Sequence, residues 1–292
     1  MKYGIREICD VVLKAKANDT EIGNKKFNKG EPVLYFDTLK TSSMEGAATT
    51  VYAQGGRGNS RLIAWEGERT VTFTMEDALI SDMGLAVLTG AGLIDAGATS
   101  KLTVHSTAKF GIAANNKYSF DEVLAKDSQG TYYDVWAIVM NENDDILSTN
   151  KITATGNITV GTDSTTITFT IPTADQTTAK KVMFDFYVEK ASGARQIEIT
   201  PDKFGGNYYL EASTLFRDQT GKDMPAEFII PNCKVQSNFN FSLASTGDPS
   251  TFTFTMDAFP DYTVYDPTKK VLSVIQVIEN EAAPLADPVI EA

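Results

Sequence analysis

Two short stretches of this chain, residues 70–78 (TVTFTMEDA) and 251–259 (TFTFTMDAF), repeat almost the same alternation of threonine with large apolar side chains. Successive side chains of a β-strand point to opposite faces, so each stretch predicts a strand with one apolar and one polar face. Residues 233–243 alternate in the same way, and residues 245–250 (STGDPS) carry the Gly and Pro of a turn. The repetition therefore predicts two hairpins that present equivalent strands to one continuous sheet.

The polar faces of these strands carry mainly small, uncharged side chains that form hydrogen bonds. An ordinary half-exposed sheet, in which threonine serves strand propensity, explains one such strand. Several such strands from both ends of the chain favour a wall that lines an aqueous channel. The residues expected to line it are Thr70, Thr72, Thr74, Glu76, Gln236, Asn238, Asn240, Ser242, Thr251, Thr253, Thr255 and Asp257.

Strand-like alternation dominates the rest of the chain, which predicts a mainly β fold: an antiparallel β-sandwich or barrel with one flanking α-helix and an inserted small β domain. The helix is expected at residues 76–88, where apolar side chains recur at helical spacing before Thr89 and Gly90. A second, short helix is expected to start at Ser119, because SFDE has capping-box spacing.

The domain organisation is inferred from a change in sequence pattern between residues 115 and 215, where short strand-like segments alternate with turn residues. Residues 1–114 are expected to form the first part of the core, with an N-terminal arm, an inner hairpin and the helix. Residues 115–215 form the inserted β domain in this scheme, and residues 216–292 form the second inner hairpin and a C-terminal tail.

The length and net charge of the chain limit the classes of protein to which it can belong. The 292 residues can bury a substantial core without covalent staples, and the formal net charge is −12. Nucleic-acid-binding proteins usually carry a basic stripe, so this balance argues against DNA binding, although a local basic patch stays open. No signal-peptide pattern and no apolar run of about 20 residues is present, so we expect a soluble protein without a membrane span.

Candidate chemistry is sparse. The one histidine, His105, alternates with Val104 on an expected strand, which favours a structural role. Cys9 and Cys233 are far apart, so two buried free thiols are favoured, with a bridge between them as the alternative. Residues 54–60 (QGGRGNS) lack the spacing of a nucleotide-binding loop and predict a flexible hairpin.

Residues 141–145 (NENDD) carry calcium-like oxygens without EF-hand spacing, so they predict a β-turn. One histidine and two distant cysteines form no recognisable zinc set, and no nucleophile elbow is present. We therefore expect no enzymatic activity, no cofactor and no metal.

The order of residues 33–81, with VLYFDTLKTSS and ERTVTFTMEDALIS, followed much later by LFRDQTGKDMPAEFIIPNCKVQSNFNFSLASTGDPSTFTFTMDAFPD at residues 215–261, resembles the tail tube proteins of tailed bacteriophages. The resemblance covers roughly residues 30–90 and 205–280, and the insertion departs from it. It implies a β-sandwich flanked by a helix, in which six subunits close their inner strands into a 24-stranded barrel. Rings of this kind stack into a tube in the virion tail that conducts DNA, commonly with a negative lumen.

The resemblance also implies partners, which begin with further copies of the chain. A long loop usually reaches between subunits or rings, and residues 40–60 are the candidate. Its expected contact residues are Met44, Glu45, Gly55, Gly56, Arg57, Gly58 and Asn59. Sheath, tape-measure, and terminator or baseplate proteins are further partners of such tubes, and DNA transits without specific binding; whether the tail is contractile stays open.

A second hypothesis concerns the insertion. A β-rich decoration protein or adhesin would bind a cell-surface glycan through exposed aromatic side chains, and the candidates are Tyr132, Tyr133 and Trp136. Core packing is the alternative use of these three residues.

Overall fold

The computed structural model describes residues 2–5, 7–151, 158–240 and 251–279. The fold is mainly β, with antiparallel sheets and one α-helix among the described residues. The chain divides into two compact units: the first comprises Met1–Ile94 with Ile197–Ala292, and the second comprises Asp95–Gln196. The described strands do not close into a barrel within one chain.

The elements before the second unit are β1 (Tyr3–Ile5), β2 (Asp10–Ala15), β3 (Thr20–Ile22), β4 (Lys25–Phe27), β5 (Pro32–Phe36), β6 (Leu39–Gly55), β7 (Ser60–Asp77), α1 (Asp82–Thr89) and β8 (Gly92–Asp95). The next strands are β9 (Leu102–Gly111), β10 (Lys117–Ser119), β11 (Trp136–Met140), β12 (Ile146–Lys151), β13 (Ile158–Val160), β14 (Thr166–Phe169), β15 (Lys181–Lys190) and β16 (Arg195–Glu198). The last strands are β17 (Asn207–Asp218), β18 (Asp223–Val235), β19 (Phe252–Ala258), β20 (Asp261–Tyr262), β21 (Lys270–Val271) and β22 (Val274–Val277).

The first unit is built on one large antiparallel sheet in the order β5-β2-β17-β18-β19-β7-β6, with β1 added to β17 and β22 added to β18. Alternate side chains of these strands point into the core, as Val11, Leu13 and Ala15 of β2 illustrate. Val87 and Leu88 of α1 are buried in the same core, so the helix covers part of the apolar face of the sheet.

The helix starts six residues later than the sequence pattern indicated. Glu76 and Asp77 belong to β7, and the Asp77 carboxylate accepts a hydrogen bond from the hydroxyl of Thr38. The helix begins after Ser81, whose Oγ accepts from the Gly84 amide at 2.9 Å and so satisfies one of the unpaired N–H groups of the first turn. It ends at Gly90, which has a φ of 70°.

The second unit consists of a four-stranded sheet, β12-β11-β15-β9, and a three-stranded sheet, β10-β14-β13. Residues of both sheets share one core, which includes Phe169, Val182 and Phe184. The second expected helix is absent: Ser119 ends β10, because Tyr118 is buried in this core and pairs with Ile167 of β14.

The bounds of the second unit, Asp95–Gln196, lie about 20 residues before those expected for the insertion, 115–215. Strand β9 pairs with β15 over ten residues, which places it inside the second unit. Strand β17, in contrast, pairs with β2 and β18 in the large sheet of the first unit. The change in sequence pattern therefore does not coincide with the boundary between strands that pair in the first unit and strands that pair in the second.

Cys9 and Cys233 are both buried free thiols, and the alternative of a bridge between them is wrong. Burial raises the pKa of the Cys233 thiol to about 12 and also raises the pKa of Cys9. The segment at 141–145 forms the expected turn, in which the Asn141 side chain accepts hydrogen bonds from the amides of Asn143 and Asp145, each at 2.9 Å.

Candidate functional site: a polar face across four strands

The two repeated stretches are direct neighbours in the sheet. In the antiparallel pair of β7 and β19, Thr74 lies opposite Thr255, and Phe73 lies opposite Met256. Phe73, Met256 and the next apolar pair, Met75 and Phe254, are all buried in the core. The expected assignment of apolar and threonine faces, and the expected placement of both repeats in one sheet, are therefore confirmed for these strands.

Two further strands extend the threonine face on either side. On β6, Ser43 lies opposite Thr74, and Glu45 lies opposite Thr72. On β18, Lys234 lies opposite Asp257, and the Gln236 amide donates to the Thr255 carbonyl at 2.8 Å. We call the resulting surface the polar face; its members are Thr41, Ser43, Glu45, Thr70, Thr72, Thr74, Glu76, Lys234, Gln236, Thr253, Thr255 and Asp257.

Hydrogen bonds between side chains hold the centre of the polar face. The carboxylate of Asp257 accepts from the hydroxyl of Thr72 at 3.2 Å and from the Gln236 side-chain amide at 2.9 Å. One acid thereby connects β7, β19 and the residue that follows β18. With Glu45, Glu76 and Asp257 against Lys234, the polar face carries three acids and one base. Its surface is polar, sparsely charged and net negative.

The segment that follows β18 does not continue as a strand, although the alternation of residues 233–243 predicted one. Strand β18 ends at Val235, and residues 236–240 continue without strand pairing, so Asn238 and Asn240 are exposed on an irregular segment. Phe239, which the alternation placed in the core, is 40% exposed. Ser242 lies outside the described residues, and Thr251 immediately precedes β19.

The contribution of β6 to this face was missed by the sequence analysis, which assigned residues 40–60 to a long loop. They form one side of a long hairpin with β7, paired from Leu39 with Asp77 to Gly55 with Ser60. Met44 and Glu45 lie at the base of this hairpin, and Met44 packs against the core. The alternation of Thr41, Ser43 and Glu45 with Ser42 and Met44 was the signal that could have revealed the strand.

The distal part of the hairpin, residues 47–70, is here called the arm. At its end, residues 56–59 form a tight turn in which Gly56, Gly58 and Asn59 have positive φ values of 80°, 90° and 48°. The expected hairpin at QGGRGNS is therefore confirmed. Gly55, Gly56, Arg57, Gly58 and Asn59 all lie at this end of the arm.

The arm exposes large apolar side chains that the described part of the chain leaves uncovered. Leu62 is 65% exposed, Ile63 55% and Trp65 53%, and Val51 lies on the opposing strand with 62% exposure. A two-stranded hairpin has no core of its own in which to bury such groups. Exposed apolar side chains concentrated on one projecting element are characteristic of an interaction surface.

Within the part of the chain that the structure describes, no group of three or more His, Cys, Asp or Glu residues is arranged to hold a metal ion. Among those same residues, no helix has the length and apolar character needed to cross a bilayer. The one described histidine, His105, lies on β9 with its Nε2 3.1 Å from Asp185 Oδ1.

A family model matches residues 4–271, nearly the whole chain, and describes the YomU/Tube protein family. The chain belongs to the YomU/Tube protein family. This is a phage tube-like family, consistent with a phage tail tube protein, so the resemblance noted from the sequence is confirmed. The family is structural and of a typically non-enzymatic kind. A comparison with curated proteins finds no match to the chain.

Proposed function

We propose that copies of this chain join the strands β6, β7, β19 and β18 of their large sheets into the wall of a phage tail tube, through which the genome passes into the host. The observation that carries the proposal is the continuity of the polar face over β6, β7, β19 and β18, which come from both ends of the first unit. Six copies with four strands each would make the 24-stranded barrel that the resemblance implies. The polar face then lines the lumen, and the buried face packs within each subunit.

The edges of the sheet support closure between copies. Strand β6 ends the described order of the sheet, so its outer edge has no partner strand among the described residues. A 17-residue edge of this kind invites pairing with another chain. We place residues 236–240 of the neighbouring copy on that edge, where Asn238 and Asn240 would complete the polar face.

The charge of the polar face supports passage of DNA without retention. A net-negative wall repels phosphate, and the repulsion from each ring adds to that of its neighbours along the tube, within the screening length of the solution. Threonine and asparagine side chains offer the duplex no charge, and Lys234, the base of the polar face, lies opposite Asp257. DNA therefore transits without specific binding.

In this proposal the arm makes contacts between neighbouring subunits or rings of the virion tail. Its apolar side chains, among them Leu62, Ile63 and Trp65, become buried against a second copy. Tape-measure, terminator or baseplate, and sheath proteins are the further partners that a tube of this kind would contact.

Electron microscopy of the purified protein and of virions tests the proposal directly. We expect stacked rings with a central channel and six-fold class averages of end-on particles. A protein that stays monomeric at high concentration and is absent from purified virions would overturn it.

Cysteine cross-linking tests the proposed pairing of edges. Variants with Thr41→Cys, Ser43→Cys or Glu45→Cys, each combined with Asn238→Cys, should form disulfides between subunits in at least one register. The matched control joins the same β6 cysteines with Thr107→Cys, an exposed strand position in the second unit. Equal cross-linking of both sets would contradict the proposed edge.

A further inference from the structure

The outer face of the four-stranded sheet in the second unit carries exposed aromatic side chains. Along β15, Phe184 and Phe186 point into the core, whereas Asp185 and Tyr187 point outward. Trp136 lies opposite Asp185 on β11, and His105 lies opposite Tyr187 on β9. The core of the second unit is thus complete without these outward-facing rings.

These rings form one cluster, which we call the aromatic face: His105, Tyr133, Trp136 and Tyr187. The Tyr187 ring lies 5.8 Å from the Tyr133 ring and 5.6 Å from the His105 ring, measured between centroids. Trp136 is the diagonal neighbour of Tyr187 across the strand pair, a relationship that separates Cα atoms by about 7–8 Å. Trp136 and Tyr187 are each 37% exposed, and Tyr133 is 40% exposed.

Tyr132 does not belong to the aromatic face, although the sequence placed it there as a glycan-binding candidate. Its hydroxyl lies 2.6 Å from the Ser164 hydroxyl, and its ring is half-buried against the core of the second unit. The two uses considered from the sequence are therefore divided between neighbours: Tyr132 packs, and Tyr133 is exposed.

Polar groups lie beside each ring of the aromatic face. The Asp134 carboxylate is 2.6 Å from Lys151, whose ammonium is also 5.6 Å from the Trp136 ring centre. The Asp185 carboxylate, opposite Trp136, is held by His105 at 3.1 Å. These contacts position acceptor oxygens beside the rings, and both carboxylates are exposed enough to accept from donors in solvent.

This chemistry discriminates among classes of ligand. The centre of a protein interface is depleted of charge, whereas here the Lys151–Asp134 ion pair lies beside Trp136 and the Asp185 carboxylate lies beside His105. Nucleic acid requires a basic surface, and residues 95–196 carry 12 acidic against 9 basic side chains. A neutral sugar offers apolar C–H faces that cover aromatic rings and hydroxyls that donate to carboxylates, which matches both features of the aromatic face.

We propose that the aromatic face binds a neutral carbohydrate chain, such as a polysaccharide on a bacterial surface. The proposal does not depend on the tube, because all of its residues lie within the second unit. It assigns stacking to Trp136 and Tyr187, and hydrogen bonding to Asp134, Asp185 and His105.

The test uses the full chain against an array of neutral oligosaccharides of glucose, galactose and N-acetylglucosamine, with acidic oligosaccharides alongside. We expect binding to neutral members, weakened at least about 10-fold by Trp136→Ala and by Tyr187→Ala. The matched controls Tyr35→Ala and Tyr265→Ala remove exposed aromatic residues of the first unit and should bind as the parent does. Absence of binding to all neutral members at millimolar concentration would overturn the proposal.

Tryptophan fluorescence supplies a second readout that does not rely on removing Trp136. The chain has two tryptophans, so in Trp65→Phe the emission reports Trp136 alone. Titration of this variant with a binding oligosaccharide should shift or quench that emission in a saturable way. Emission that responds to assembly of the protein and not to sugar would instead make the aromatic face a contact between copies and overturn the proposal. Electron microscopy of rings is independent of both results.

Discussion

Asp257 accepts a hydrogen bond from the hydroxyl of Thr72 at 3.2 Å, although the two residues are 185 positions apart in the chain. The bond joins β7 to β19, the two strands that carry the repeated sequence. It lies on the polar face, while Phe73 and Met256 next to it are buried on the other side. One strand pair thus combines a buried apolar side with a sparsely charged, hydrogen-bonded surface, which is the arrangement that the proposed channel wall requires.

Replacing Thr253 with Lys tests the role of the polar face. Thr253 is exposed, so the variant subunit should fold with an unfolding free energy within about 0.5 kcal/mol of the parent. A ring of added cations would attract phosphate and slow ejection of DNA, measured as DNA release from variant virions. Thr107→Lys, on an exposed strand of the second unit, is the control and should eject DNA normally. Loss of folding in the Thr253 variant would show that the two faces were assigned in reverse.

Replacing Leu62 and Trp65 with Ser tests the arm. Both side chains are more than half exposed, so their loss should leave the thermal unfolding of the dissociated subunit nearly unchanged. Burial of these groups between copies would, however, contribute roughly 1.5–3 kcal/mol per side chain to assembly. Sedimentation should therefore show a large rise in the concentration needed to form rings. A variant that assembles like the parent would exclude the arm from subunit contacts.

Replacing Gly90 with Ala tests why the helix ends at this residue. Its φ is 70°, and a Cβ added there would lie 2.4 Å from the carbonyl oxygen of Phe204. Gly30 has a φ of 85° with open space around it, so Gly30→Ala isolates the backbone cost, roughly 1–2 kcal/mol. Gly90→Ala should lose a further ~1–3 kcal/mol from the steric conflict. Denaturant unfolding of both variants measures the difference; equal losses would mean that the segment at Phe204 moves away without cost.

Because the Cys233 thiol is buried, we expect the free energy of unfolding to fall at alkaline pH. Burial raises the pKa of the folded thiol to about 12 from an ordinary value of 9.0, so above pH 9 the unfolded chain releases this proton while the folded chain keeps it. The free energy of unfolding should then fall by about 1.4 kcal/mol per pH unit between these values. Urea unfolding at pH 8 and pH 10 measures the slope.

The control for this prediction is Cys233→Ala, which should be less stable at both pH values and show a smaller loss between them. Other titrating groups contribute equally to the two proteins, so the difference of the two slopes reports the thiol. Identical slopes would mean that the Cys233 thiolate is accommodated in the fold. Slow reaction of the native protein with iodoacetamide at pH 8 would agree with the raised pKa.

Local sequence patterns predicted correctly which side chains of the repeated strands are buried. Alternation with a period of two placed Phe73, Met75, Phe254 and Met256 in the core and threonine on the other side, because pleating is a property of the strand itself. The turn at Gly56–Asn59 followed equally from residues that tolerate positive φ.

Local sequence patterns gave the wrong secondary structure where pairing with a strand distant in sequence determined it. The helix expected from residue 76 starts only at Asp82, because Glu76 and Asp77 pair in the sheet, where Asp77 lies between Leu39 of β6 and Phe252 of β19. Residues 40–55 contain many small and polar side chains and were assigned to a loop, yet they form a largely exposed strand because β7 supplies hydrogen bonds along its length.

The sequence by itself determined the mainly β class, the two faces of the repeated strands and the family to which the chain belongs, since each follows from short-range composition and order. Only the tertiary structure decided that the repeats are neighbours in register, that β6 completes the polar face and that Tyr187 and His105 join Trp136 on one surface. Register and strand order depend on which buried faces fit together across the whole core. That fit is a long-range property, and no local pattern encodes it.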